Sequence, residues 1–336
     1  MPTPEISRQI EERLDELYRR HKGVDAERVH SYYEPGRGSF GAGEAGDELA
    51  DRFGICLATV DGALYGAGDE EASFPLQSIS KVFTYAVALE DHGREEVLRH
   101  VGVEPSGDAF NSIVFDERHN RPYNPMVNAG ALVTSDLVRG RDAAEKAERV
   151  VAAMRVYAGR DHLAVDPDVV ELELQVADQN RATAYLMRGQ GMIGGDVEGT
   201  LTGYLKHCSV AVTCRDLATM GATLANGGVN PLTGERAIST GGVRDVLSVM
   251  HTCGMYDAAG QWAFDVGVPA KSGVSGGILA VIPGKLGIAV YSPGLDEHGN
   301  SVRGISVCTE ISTRLGLHVF ATEDDDAMMR RVAAAG

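Results

Sequence analysis

Long apolar runs are missing from this 336-residue sequence. Its most apolar late stretch, Gly276 to Tyr291, is broken by Pro283 and Lys285 and falls short of the roughly 20 apolar residues a membrane helix needs. The opening segment, MPTPEISRQIEERLDELYRRH, carries charge throughout. It lacks the apolar centre and small-residue cleavage site of a secretory leader, so a cytoplasmic location is expected. Cysteine is sparse as well. Cys56, Cys208, Cys214, Cys253 and Cys308 are odd in number, widely spread and form no C-x-x-C pair. That pattern speaks against a disulfide framework or a zinc site and for buried free thiols in a reducing compartment. Positive charge is scarce too: 31 Lys and Arg stand against 48 Asp and Glu, a net charge of −17. Partners that present a phosphate backbone, nucleic acid or anionic membrane, are therefore disfavoured.

What is present reads as globular, with 43% hydrophobic and 24% charged residues. The length fits two domains of about 150 residues or one domain carrying an insertion. Ile6, Ile10, Leu14 and Leu17 have the spacing of an amphipathic opening helix. In the polar run that follows, Gly41-Ala-Gly43-Glu-Ala-Gly46 matches G-x-G-x-x-G. A polar loop precedes it and a strand follows, the reverse of a dinucleotide site, so no cofactor role is assigned to it. Gly54 to Val60 reads as a strand, Asp61-Gly62 as a hairpin turn and Lys81 to Glu90 as an apolar helix. From Asp91 to Leu247 helical periods dominate, as in Ala143 to Tyr157 and Cys214 to Ala225. Strands return at Ile278 to Ile282 and Gly287 to Tyr291, a Ser306 to Leu315 segment closes the fold, and Glu323 to Asp326 forms a solvated acidic end. Strands at both chain ends around a helical middle predict one sheet domain with a helical insertion.

Chemistry concentrates in Gln77-Ser78-Ile79-Ser80-Lys81, where a loop meets an apolar helix. One use of Ser78 or Ser80 there is N-capping. The other is S-x-x-K: Lys81 lies one turn beyond Ser78 on the same face, and its amine can serve as the base that a serine nucleophile requires. A lysine does so only if burial lowers its pKa, and the neighbours Val82, Phe83 and Ala86 are apolar. A second element, Lys271-Ser272-Gly273, precedes the late strands. K-[ST]-G at a strand edge accompanies S-x-x-K in serine acyl-transfer enzymes, where exposed main-chain amides can face an oxyanion. A Gly-rich turn with a surface lysine is the plainer reading of the same residues, but both motifs together, in the right order and separated by a helical insertion, favour acyl transfer.

Five longer segments occur in order: Phe74-Pro-Leu-Gln-Ser-Ile-Ser-Lys81, Tyr123-Asn-Pro-Met-Val-Asn-Ala-Gly-Ala131, Leu224-Ala-Asn-Gly-Gly228, His251-Thr-Cys-Gly-Met-Tyr-Asp257 and Pro269-Ala-Lys-Ser-Gly-Val-Ser-Gly-Gly277. With them the chain, from about Gly54 to Ile311, resembles the serine-dependent glutaminase family. The resemblance implies an α+β, β-lactamase-like fold, an antiparallel sheet flanked by helices with a large helical insertion. The single catalytic unit 1–336 would comprise a sheet subdomain, about 1–90 and 265–336, and a helical subdomain, about 91–264. It also implies hydrolysis of the L-glutamine side-chain amide to L-glutamate and ammonia, with no metal or organic cofactor, by a homodimer or homotetramer.

Carried over by residue, Ser78 is the nucleophile, Lys81 its base, and Tyr256 relays a proton to departing ammonia. The amides of Ser78 and Val274 form the oxyanion hole, and Asn128, Glu173, Asn180 and Tyr204 hold the amino-acid end. Glutamine is a zwitterion at its α-carbon, so an anion such as Glu173 suits the ammonium and neutral donors suit the carboxylate. Without the resemblance, Glu173 reads as a solvated charge, Asn128 as a helix cap, and Tyr204 and Tyr256 as core aromatics. Two departures stand out. The family carries Arg-Asn where this chain has Gln179-Asn180, and a tyrosine in a Tyr-Ile-Pro segment where this chain reads Gly36 to Gly46, leaving Tyr32 or Tyr33 as substitutes. A β-lactamase or cell-wall peptidase, and a non-catalytic amino-acid sensor, are the rival readings. The implied substrate has no net charge, so the acidic excess belongs to the surface and favours solubility and activity at high salt.

Overall fold

A computed structural model describes residues 3–24, 51–108 and 111–321. The Gly41–Gly46 run, Tyr32, Tyr33 and the Glu323–Asp326 stretch lie outside the described residues.

Helix α1 (Pro4–Lys22) begins at an N-cap, Thr3, with proline in its first turn. Strands β1 (Gly54–Thr59) and β2 (Leu64–Gly68) form the expected hairpin, with Gly62 at φ +89° in its turn. A two-residue strand β3 (Phe74–Pro75) leads through a 3-10 turn, Gln77–Ile79, into α2 (Ser80–His92). The helical middle follows as α3 (Arg94–His100), α4 (Asn128–Leu137), α5 (Ala143–Ala158), α6 (Pro167–Gln175), α7 (Asp178–Gly189) and α8 (Val197–Cys208). Strand β4 (Ala211–Val212) pairs with β3, and α9 (Cys214–Ala225) and α10 (Thr240–Cys253) come next. A 3-10 turn, Tyr256–Ala258, and α11 (Ala259–Asp265) precede β5 (Ala270–Ser272), β6 (Gly277–Ile282) and β7 (Leu286–Tyr291). Helix α12 (Val302–Leu315) is the last helix among the described residues; it follows a Ser301 N-cap and starts four residues before the segment read from sequence.

Five strands form one antiparallel sheet in the order β2-β1-β7-β6-β5. Both faces are covered, which is why β6 and β7 read as unbroken apolar runs rather than alternating ones. Ile278, Ala280, Ile288 and Val290 point into a core shared with Leu14 and Leu17 of α1 and Val307 and Ile311 of α12. Leu279, Val281, Ala289 and Tyr291 point into the other core, with Leu217 and Met220 of α9. Helix α9 lies directly on β7: a Cβ at Gly287 would stand 2.4 Å from the Ala218 carbonyl oxygen. Burying each large aliphatic side chain contributes about 1.5–3 kcal/mol. A Thr213–Asp216 capping box fixes where α9 starts. All five cysteines are buried and free. Among the described residues no helix is long and apolar enough to cross a membrane.

Candidate active site

Ser78 occupies the middle of the 3-10 turn before α2, and the turn is pinned where the Leu76 amide donates to the Val210 carbonyl at 2.8 Å. Gln77 sits at φ +49°, a region that costs a non-glycine residue about 1–3 kcal/mol and is held only by well-packed surroundings. Neither serine caps α2, whose start has no side-chain cap bond. The Ser80 hydroxyl instead faces Cys208 Sγ at 3.7 Å inside the core.

Lys81, one turn on, is fully buried, and its Nζ donates to Asn128 Oδ1 at 2.7 Å. Burial pushes its pKa down to about 7, because an ammonium there has lost its water. The condition that the sequence set for a lysine base is thus met.

Tyr256 enters from the second 3-10 turn at φ +57°, with its hydroxyl donating to the Ser272 carbonyl at 3.2 Å. Burial pushes that hydroxyl up to about 12, while hydrogen bonding to Ser78 and Ser272 pulls the other way. It is therefore a neutral phenol in contact with Ser78.

Lys271 is fully buried, against the surface position that a Gly-rich turn would give it. Its Nζ donates to the Ser272 carbonyl at 2.7 Å and lies 4.0 Å from the centroid of the Tyr256 ring. The ring face and the carbonyl favour an ammonium, but burial, and next the Lys81 charge, drive Lys271 well below the usual lysine range. Gly273 lets this strand meet the serine turn: a Cβ there would stand 2.9 Å from the Leu76 carbonyl oxygen and 3.4 Å from Gln77 Cβ. Nearby amides of Ile79, Gly273 and Gly276 are taken by the carbonyls of Leu76, Gly277 and Gly273, whereas those of Ser78 and Val274 have no acceptor among the described residues. Val274 is buried beside Tyr256 and Leu295.

The amino-acid-binding candidates come one from each of four helices. Asn128 begins α4, but its side chain does not cap the helix; Asn124 Oδ1 accepts from the Met126 and Val127 amides instead. Asn128 Oδ1 accepts from Lys81 and, at 3.4 Å, from the Tyr204 hydroxyl of α8, and its Nδ2 donates to Asn180 Oδ1 of α7 at 2.8 Å. Glu173 of α6 is half-buried and accepts from Gln77 Nε2 at 2.8 Å. Burial raises its pKa, opposed by that hydrogen bond. Gln77 and Lys271 are members of this cluster that the resemblance did not assign; both stood inside quoted motifs, where their chemistry was legible but their contacts were not. Gln179, in place of the family arginine, donates to the Asn111 carbonyl at 2.6 Å, so an amide contact stands where an ion pair was absent from the sequence. A cavity of about 380 Å³, lined by Asp108, His251, Cys253 and Asp257 among others, flanks Tyr256.

A buried Ser, Lys and Tyr joined to K-S-G is one observation; a family model described as Glutaminase that matches residues 47–320 is the other. The chain belongs to the glutaminase family. It is an amidohydrolase of the serine-dependent, β-lactamase-like type. It is 56% identical over 270 residues to a glutaminase of Trichormus variabilis, covering 80% of each chain. A crystal structure of a probable glutaminase from Bacillus subtilis is similar at TM-score 0.84 and 35% identity, over 93% of this chain and 98% of that one. The structure of Mglu in its glutamate form is similar at TM-score 0.86 and 42% identity, over 96% of this chain and 72% of that one. Glutaminase-family membership thus accounts for the order of the five sequence segments.

Proposed function

We propose that this protein hydrolyses the side-chain amide of L-glutamine to L-glutamate and ammonia through an acyl-enzyme on Ser78. The observation that carries the reading is the Lys81 amine, fully buried one turn beyond Ser78 with a pKa near 7. Ser78 Oγ attacks the amide carbon, and its proton passes to neutral Lys81. The oxyanion forms opposite the Ser78 and Val274 amides, which have no acceptor among the described residues. Tyr256, a neutral phenol touching Ser78, gives its proton to the leaving nitrogen as the C–N bond breaks and ammonia leaves, and is reprotonated by the proton held on Lys81, which restores the neutral amine. Water then attacks the ester, returning the proton to Ser78 and releasing glutamate. Lys271 supports Tyr256 from the face of its ring.

Glu173 takes the substrate ammonium, and Asn128, Asn180 and Tyr204 take the carboxylate. Exposed apolar side chains, Tyr185 and Leu186 on α7, Phe264 on α11, and Val319 and Phe320 after α12, support a homodimer or homotetramer. Five unpaired buried thiols support a cytoplasmic location.

The test is ammonia release from glutamine and from asparagine, with Ser78→Ala beside the unchanged protein. Release from glutamine that disappears in the variant is expected; substantial turnover by the variant would reject Ser78 as nucleophile. Stable acylation by a labelled penicillin would favour a β-lactam-type enzyme, and glutamine binding without ammonia release would favour a sensor.

A further inference from the structure

Tyr256 is held in the left-handed backbone region with a cavity on one flank, so its position depends on the contacts on its remaining sides. Two of those come from the loop between β7 and α12. Leu295 packs with Tyr256 and Val274 in a small apolar cluster. Three residues on, His298 Nδ1 donates to Asp257 Oδ2 at 3.0 Å, and Asp257 directly follows Tyr256. The loop is itself stiff. Asp296 Oδ1 accepts from the amides of His298 at 3.0 Å and Asn300 at 2.8 Å, and the Asp296 amide donates to the Asn300 carbonyl at 2.8 Å. A firm loop thus grips the tyrosine turn at two points, one apolar and one ionic.

We propose that the His298–Asp257 ion pair is a positioning latch for Tyr256, closed while the imidazole is protonated. It rests on the reading of Tyr256 as the proton relay. Among the described residues, the charged groups around His298 are Asp257 from the turn and Asp296 and Glu297 from its own loop, all acidic, with Glu297 Oε1 3.8 Å from Nε2. The Asp257 hydrogen bond foremost, against slight burial, raises the His298 pKa from its ordinary value. A raised histidine keeps the pair formed at lower pH and loses it as pH rises through its titration. Lys81 sets the opposite requirement, since it must lose its proton to act as base. Latch and base together confine full turnover to a window of pH.

The test compares kcat and KM of the full chain with those of His298→Ala and His298→Lys from about pH 5.5 to about pH 9, a span that reaches beyond the usual imidazole titration on its alkaline side. His298→Ala should lose about two- to fivefold in kcat at the acidic end, the range a half-exposed pair supports, with KM unchanged and the alkaline decline gone. His298→Lys, a cation throughout, should keep the kcat and carry it to higher pH. An alkaline limb shared by all three proteins, or an effect on KM alone, would overturn the latch. Independently of turnover, NMR titration of the His298 ring should show its midpoint falling in Asp257→Asn; an unmoved midpoint would overturn the pairing. Ammonia release by the unaltered protein, and its loss in Ser78→Ala, report separately on the underlying glutaminase reading.

Discussion

Lys81 Nζ and the Tyr204 hydroxyl share one acceptor, Asn128 Oδ1, at 2.7 and 3.4 Å. One atom therefore joins the proposed base to the proposed substrate-holding groups. In the proposed reaction, a substrate group that takes up Asn128 would also change the surroundings of the Lys81 amine, which would couple binding to proton transfer through a single side chain.

The first expectation concerns pH. With Lys81 as the proposed base, which must be neutral to take a proton, kcat/KM should rise with pH through about 7. Asn128→Asp places a carboxylate on the amine, favours its charged form, and should move that limb upward by about one pH unit or more. A limb that stays in place would show that another group sets it.

Lys271→Met should separate function from stability. Its folded pKa is depressed, so the unfolded chain binds the proton more readily, and the native lysine loses stability as pH falls below the ordinary lysine range. The methionine variant should thus be at least as stable, with a gain larger at pH 6 than at pH 9 in denaturant unfolding. Turnover should fall about tenfold or more as Tyr256 loses its partner. A variant destabilised more at pH 6 than at pH 9 contradicts the assignment.

Glu173→Gln should raise KM about tenfold or more and change kcat less, because a clamp on the ammonium acts in ground and transition states alike. In the unaltered protein the raised Glu173 pKa makes KM climb as pH falls through its titration, since the protonated acid cannot pair with the ammonium. Steady-state kinetics at several pH values check both, and an unchanged KM removes Glu173 from the site.

At Gly273 the strand and the serine turn have no room for a methyl group: the nearest carbonyl oxygen would be 2.9 Å away. Gly273→Ala should cost about 1–3 kcal/mol in unfolding free energy and lower kcat by separating Val274 from Ser78. A fully active, equally stable alanine variant would show that the two elements move apart freely.

Helices whose apolar period is local were legible in sequence. Cys214 to Ala225 was read with the bounds it adopts, and Ala143 to Tyr157 falls one residue short of the observed end. Ser78 and Lys81 were legible too, because a three-residue spacing puts them on one helix face before any tertiary contact exists. Glu173, Asn180 and Tyr204 were not: each stands alone on α6, α7 or α8, and unaided reads as ordinary surface or core. Lys271 was legible as part of K-S-G, but its complete burial was not, since a lysine beside glycines could equally stand at a surface turn, whereas β5 is covered on both faces.

Local spacing, turn chemistry and the order of motifs, all carried by the sequence itself, determined the serine–lysine pair, the hairpin and the membership of the family. What only the tertiary structure decided is the proton affinity of the site. Whether Lys81 and Lys271 are ammonium or amine depends on how much water is removed around them, and that is set by residues distant in the chain packing over the same few atoms.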